Sequence, residues 1–182
     1  SVLTAPTQGV CPGGDATSNV MGGGVHHIPN YSDNTSGKRL MDSLTGHTSL
    51  ANSNDTHCQR TGTRWLDADA VTTFDFKNSS GDTFKDNSMI STYRIPSSGD
   101  NYIGRVEASG GETTLTFDNI SQDYDHLELS IVARAQGYAA YSQEFHLQFN
   151  DDTTYTNYKY QIVRHSGAAG GTIASTGSGE IV

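Results

Sequence analysis

The stretch LTFDNISQDYDHLELSIVARAQ, residues 115–136, alternates like a strand, turns, and alternates again. Leu115 and Phe117 exchange with Thr116 and Asp118, and NISQDYD then supplies turn formers. Beyond the turn, Leu127, Leu129, Ile131 and Ala133 fall on one face, with His126, Glu128, Ser130, Val132 and Arg134 on the other. A period of two with one apolar face predicts a strand half-buried in an antiparallel sheet, because parallel strands tend to be apolar on both sides.

The same signature recurs along the chain from Val71. VTTFDF, MISTYRI, NYIGRVE, ETTLTFD, QEFHLQF and YTNYKYQIVR read as strands, separated by KNSSGD, PSSGD, ASGG and NDDTT, with a short apolar TIAS near the end. In QEFHLQF the pattern predicts Phe145, Leu147 and Phe149 inward and Glu144, His146 and Gln148 outward. About seven strands, spaced by turns at roughly ten-residue intervals, predict an all-β fold over residues 71–182: an antiparallel β-sandwich, jelly-roll-like.

Residues 1–70 carry no sustained periodicity. CPGGDATSNVMGGGVHHIPNYSDNTSG is nearly all turn and loop formers, which predicts an extended irregular N-terminal arm, ordered by wrapping a partner and separable from the sandwich. GKRLMDSLTGH places Leu40, Met41 and Leu44 at helical spacing before Gly46 and predicts one short helix.

Composition narrows the function classes. With 11 Lys and Arg against 20 Asp and Glu, a net charge of -9, the chain lacks the basic patch that phosphate backbones require, so nucleic acid is not an expected partner. No apolar run is long enough to span a bilayer as a helix, and SVLTAPTQGV lacks the layout of a secretory signal. Cys11 and Cys58 admit two readings: a disulfide, worth about 4 kcal/mol in the chain-entropy model, or two free thiols.

TLTFDNISQDYDHLELSIVARA, followed by FHLQFNDDTTYTNYKYQIV, resembles a domain of tailed-phage virion structural proteins. The matching positions are Phe117, Ile120, Tyr124, His126, Leu127, Leu129, Ala133 and Arg134, then Leu147, Phe149, Asn150, Asp152, Asn157 and Tyr158. The resemblance covers under half the chain and implies a structural, decoration or tail protein with no catalytic residues and no cofactor. In the family pattern further strands follow the position of Val182. The matching residues also make local physical sense. Tyr124 and His126 flank a tight turn, where a ring packs while its polar end reaches the backbone. Asn150 and Asp152 suit a turn because their side chains bond nearby amides. Arg134 is expected to pair with Asp123, Asp125 or Glu144.

Chemical motifs are weak by comparison. His26, His27, His47 and His57–Cys58 show no C-x2-C or H-x3-H spacing, so no metal site is expected. NDD at 150–152 and DADA at 67–70 lack the EF-hand pattern. MGGGVHH and AAGGTIAS are neither a dinucleotide fingerprint nor a phosphate loop, and no G-x-S-x-G occurs. The expectation is a non-enzymatic virion protein on the head surface or tail, assembled in the host cytoplasm. It would be a capsid decoration (cement) or head-fibre component, a homo-oligomer (a trimer), tied by its arm to neighbours such as the major capsid protein. The alternative is a tail or fibre component, or a carbohydrate-binding module for host-surface glycan. Tyr138 and Tyr141 are candidates for a glycan or subunit contact, and a Tyr-lined concavity would favour glycan.

Overall fold

The two strands of the 115–136 stretch go to different layers. The computed structural model describes residues 7–15, 20–35, 39–48, 56–78, 81–95, 101–137, 142–166 and 172–178. Its strands are β1 (Thr7–Pro12), β2 (Gly22–Pro29), β3 (Arg39–Thr48), β4 (Thr56–Trp65), β5 (Phe74–Asn78), β6 (Thr83–Phe84) and β7 (Met89–Arg94). They continue with β8 (Tyr102–Glu107), β9 (Thr114–Phe117), β10 (His126–Ala133), β11 (Ala135–Gln136), β12 (Ser142–Phe149), β13 (Tyr158–Ser166) and β14 (Thr172–Ser178).

One sheet has four strands in the order β1-β12-β5-β9, the other eight in the order β14-β13-β4-β3-β2-β10-β7-β8, and β11 pairs with β6 in a short ribbon. Every pairing is antiparallel. The two large sheets pack face to face, so the protein is an antiparallel β-sandwich. β9 belongs to the smaller sheet and β10 to the larger one, and the turn between them carries the chain across the core.

The inner faces follow the alternation. Leu127, Leu129, Ile131 and Ala133 of β10 are buried opposite Phe145, Leu147 and Phe149 of β12. Trp65 of the larger sheet lies 5.3 Å from Phe149 of the smaller one, ring centre to ring centre across the layers, and within the smaller sheet Phe76 lies 4.4 Å from Phe145. Burying such aromatic side chains is the main stabilising term of the fold. His146 and Gln148, expected outward, do point away from this core, yet both are buried.

The expectation of an irregular arm over residues 1–70 is corrected by β1 to β4, which occupy residues 7–12, 22–29, 39–48 and 56–65. β2, β3 and β4 sit in the middle of the larger sheet. The physical reason is the chemistry of their inner face: Ser43, Thr45 and His47 of β3, Gln59, Thr61 and Thr63 of β4, and His26 of β2 are all buried. Buried polar groups need partners, and some are internal: Ser43 Oγ donates to the Thr61 carbonyl at 3.1 Å, and Gln59 Nε2 donates to Thr61 Oγ1 at 2.9 Å. A face built this way has period two without hydrophobic period two. The short helix expected in GKRLMDSLTGH is likewise a strand, β3. Met41 is 2% exposed and Leu44 is 58% exposed, because residues three apart face opposite sides of a strand.

Candidate binding face and cleft

The motif residues that define the resemblance are brought together as structure. Asn150 sits in the left-handed region (φ 49°) just after β12. Its Oδ1 accepts from the Thr72 and Thr73 amides at 2.8 and 3.1 Å, and its Nδ2 donates to the Ala70 carbonyl at 2.7 Å. Asp152 accepts from Trp65 Nε1 at 2.7 Å, Asn157 Nδ2 at 2.9 Å and the Thr154 amide at 2.8 Å. Burial works to raise the Asp152 carboxyl, but those bonds outweigh it and hold the group below the ordinary carboxylate value. The Tyr158 hydroxyl receives the Phe149 amide at 3.2 Å and donates to the Asp152 carbonyl at 3.1 Å.

Phe117 stacks on Phe74 at 5.3 Å, and the Arg94 guanidinium lies 4.6 Å over the Tyr124 ring. His126 Nδ1 accepts from the Asn30 amide at 3.2 Å, and Leu127 and Leu129 are fully buried. Arg134 is 5% exposed and its Nη2 donates to the Gly14 carbonyl at 3.1 Å. Tyr138 and Tyr141 lie outside the described residues. Cys11 and Cys58 are both free, which corrects the disulfide reading: Cys11 faces the core from β1, and Cys58 is exposed on the opposite side of β4. Burial pushes the Cys11 thiol up to about 12, against a backbone hydrogen bond at Ala135, so it stays protonated.

A second constellation, on the outer face of the eight-stranded sheet, is set by strand register. One cross-strand row runs Gly62–Asp42–His27–Glu128–Tyr93–Tyr102 from β4 to β8. A second runs Val163–Arg60–Leu44–Val25–Ser130 from β13 to β10. A third runs Cys58–Gly46–Gly23–Val132. Residues opposite one another in an antiparallel pair share a face. Leu44, Val25, Val132 and Val163 are therefore exposed apolar side chains on one rigid surface. Gly23 and Gly46 floor a trough beside them of about 550 Å³.

Part of the charge on this face is paired, while Arg64 of β4 and Lys159 of β13 stand opposite one another. Arg60 clasps Asp42 with Nε to Oδ1 at 3.1 Å and Nη2 to Oδ2 at 2.7 Å, which lowers the Asp42 pKa and raises that of Arg60. His27 Nε2 and Glu128 Oε2 are 2.9 Å apart, and Arg105 reaches Glu107 at 3.3 Å. At the His27–Glu128 pair, a cleft of about 300 Å³ is lined by these two residues with Tyr93, Arg94, Ile95 and Asn101.

No protein-family model, curated protein or solved structure matches this chain. Among the described residues no three His, Cys, Asp or Glu side chains gather to hold a metal ion, and no helix is long and apolar enough to cross a membrane. Sequence reasoning missed the outer-face rows. The side of Glu128 on its strand was readable, but β2, β3 and β4 were not read as strands and which strands lie adjacent was not encoded locally, and the row exists only through that adjacency.

Proposed function

We propose that this chain is a structural component of a tailed-phage virion, a capsid decoration (cement) or head-fibre protein, that docks through the outer face of its eight-stranded sheet. The observation that carries the reading is the exposure of Leu44 at 58%, with Val25 and Val132 around the same glycine-floored trough and exposed Val163 one strand beyond Arg60 in the same row. Contiguous exposed apolar surface on a rigid scaffold marks a protein contact. At the trough itself the lining is uncharged, as the charge-poor centres of protein interfaces require. The resemblance over about residues 100–176 supplies the virion context.

The mechanism is geometric. The sandwich is a rigid block, its apolar face seats on a neighbouring subunit, and closure into a symmetric oligomer (a trimer) multiplies each weak contact by making the next one intramolecular. Attachment by a detached arm over residues 1–70 has no place in this mechanism, because β1 to β4 are built into the sheets. The test is copy number in purified virions, by quantitative mass spectrometry against the major shell protein. A number commensurate with the shell supports decoration. A number commensurate with one vertex or the tail moves the protein there, and absence from particles overturns the reading.

A further inference from the structure

The cleft beside the apolar face has a different chemistry and does not depend on the virion reading. We infer that it is a binding site for a neutral sugar residue of an oligosaccharide. Its volume of about 300 Å³ lies at the small end of ligand pockets, and at His27 and Ile95 it adjoins an apolar recess of about 410 Å³ lined also by Pro29 and Gly62. A ligand extending from one into the other meets a polar, aromatic end and then an apolar one.

Three observations select the ligand class. Tyr93 and Tyr102 meet edge to face at 5.6 Å in adjacent strands, and Tyr102 is 47% exposed, so an aromatic surface stands at the rim for the C–H face of a pyranose. Within the cleft the free oxygen of Glu128 accepts, the Asn101 amide both donates and accepts, and neutral His27, whose Nε2 donates to Glu128, accepts at Nδ1, the mixture that adjacent ring hydroxyls satisfy. The ionic groups are engaged: Glu128 Oε2 and His27 Nε2 are hydrogen-bonded at 2.9 Å, and the Arg94 guanidinium lies over Tyr124 at 4.6 Å. A cluster of cations aimed at one point, the mark of a phosphate or sulfate site, is not formed here.

The site is also pre-organised. His27, Glu128, Tyr93 and Tyr102 follow one another across four hydrogen-bonded strands, β2, β10, β7 and β8. The Arg94 amide donates to the Asn101 carbonyl at 2.8 Å, and the Ile95 amide to the His126 carbonyl at 3.1 Å, which fixes the rim. A rigid cleft loses little ordering entropy when it binds.

The experiment is a glycan array carrying neutral and acidic oligosaccharides, probed with the full chain, followed by titration calorimetry with the strongest neutral hit. Wild-type protein is expected to retain neutral glycans. Tyr93→Ala is expected to weaken binding by about tenfold or more, Glu128→Gln by a similar factor, and Thr153→Ala, in the exposed turn after β12, not at all. Should Tyr93→Ala fail to fold, Tyr102→Ala at the exposed rim carries the same expectation. No neutral glycan above background, retention of acidic glycans alone, or binding that survives the cleft substitutions each overturns the inference.

Discussion

His26 is a histidine enclosed by protein. It is 0% exposed, neither ring nitrogen has a hydrogen-bond partner among the described residues, and its ring edge meets Phe145 at 5.8 Å. Burial, helped by the neighbouring charge of His27, pushes its pKa down to about 3. Burial also pushes His146 down to about 4, against the pull of Glu144. Both take up a proton less readily folded than unfolded, where histidine titrates near 6.5. Their contribution is therefore complete above that value and is lost as pH falls through 6 and 5 toward the folded values, with a limiting slope of about 1.4 kcal/mol per pH unit for each histidine. His26→Leu replaces an unpartnered ring by a hydrocarbon in an apolar site. Its melting temperature is expected to be no lower than wild type at about pH 7.5, and its loss of stability on moving to about pH 5 to be roughly half as large. Calorimetric melts at the two pH values check this, and an unchanged acid slope would sink the assignment. Asn150 allows a cleaner separation of causes. Asn150→Gly tolerates φ 49° but loses the bonds to Thr72, Thr73 and Ala70, so a loss of about 1–3 kcal/mol in urea titration belongs to the bonds. A loss within a few tenths of a kcal/mol would mean that the turn is held by backbone geometry alone.

At the scale of single strands, legibility followed hydrophobicity. β10 and β12 were plain because their inner faces are Leu, Ile, Ala and Phe. β3 and β4 were invisible because theirs are mostly Ser, Thr, Gln and His, capped by Met41 and Trp65 at one end. The turn residues of the motif were legible as turn formers, but their partners were not: Asn150 bonds residues about eighty positions away, and the outer-face cleft joins four strands whose adjacency no local pattern encodes. The glycines in MGGGVHH, which suggested a flexible loop, make a strand where space is the constraint. A Cβ on Gly24 would stand 2.4 Å from Thr45 Cγ2 and 2.8 Å from the Leu44 carbonyl, whereas one on Gly62 would meet nothing within 4 Å. Gly24→Ala is therefore expected to destabilise by about 1–3 kcal/mol through forced separation of β2 from β3, and Gly62→Ala to be neutral or slightly stabilising. Chemical denaturation followed by the fluorescence of Trp65, the one tryptophan of the chain, reads both. Equal effects at the two glycines would show that the close approach of β2 and β3 is not as described.

For the molecule as a whole, the order of the larger sheet decides whether attachment and folding are separable. β2, β3 and β4 stand between β10 and β13, so they hold the two halves of the sheet in one ladder. Removing residues 1–70 would strip β10 of one neighbour and β13 of another, leave two long unpaired edges, and uncover Phe145 and Phe149, which pack against His26 and Trp65. A dispensable arm would leave a cooperative core behind. The sheet order leaves none, and the truncated chain is expected to show no thermal transition by far-ultraviolet circular dichroism and to aggregate. Leu44→Lys, by contrast, changes one side chain that is already 58% exposed, so its stability is expected to stay within about 0.5 kcal/mol of wild type while its retention on particles falls. The pair of variants separates two causes of lost attachment. A folded Leu44→Lys protein that no longer sediments with particles places the contact on the sheet face. A truncated chain that melts cooperatively would instead mean that the sandwich closes without β2 to β4, and the sheet order itself would have to be redrawn.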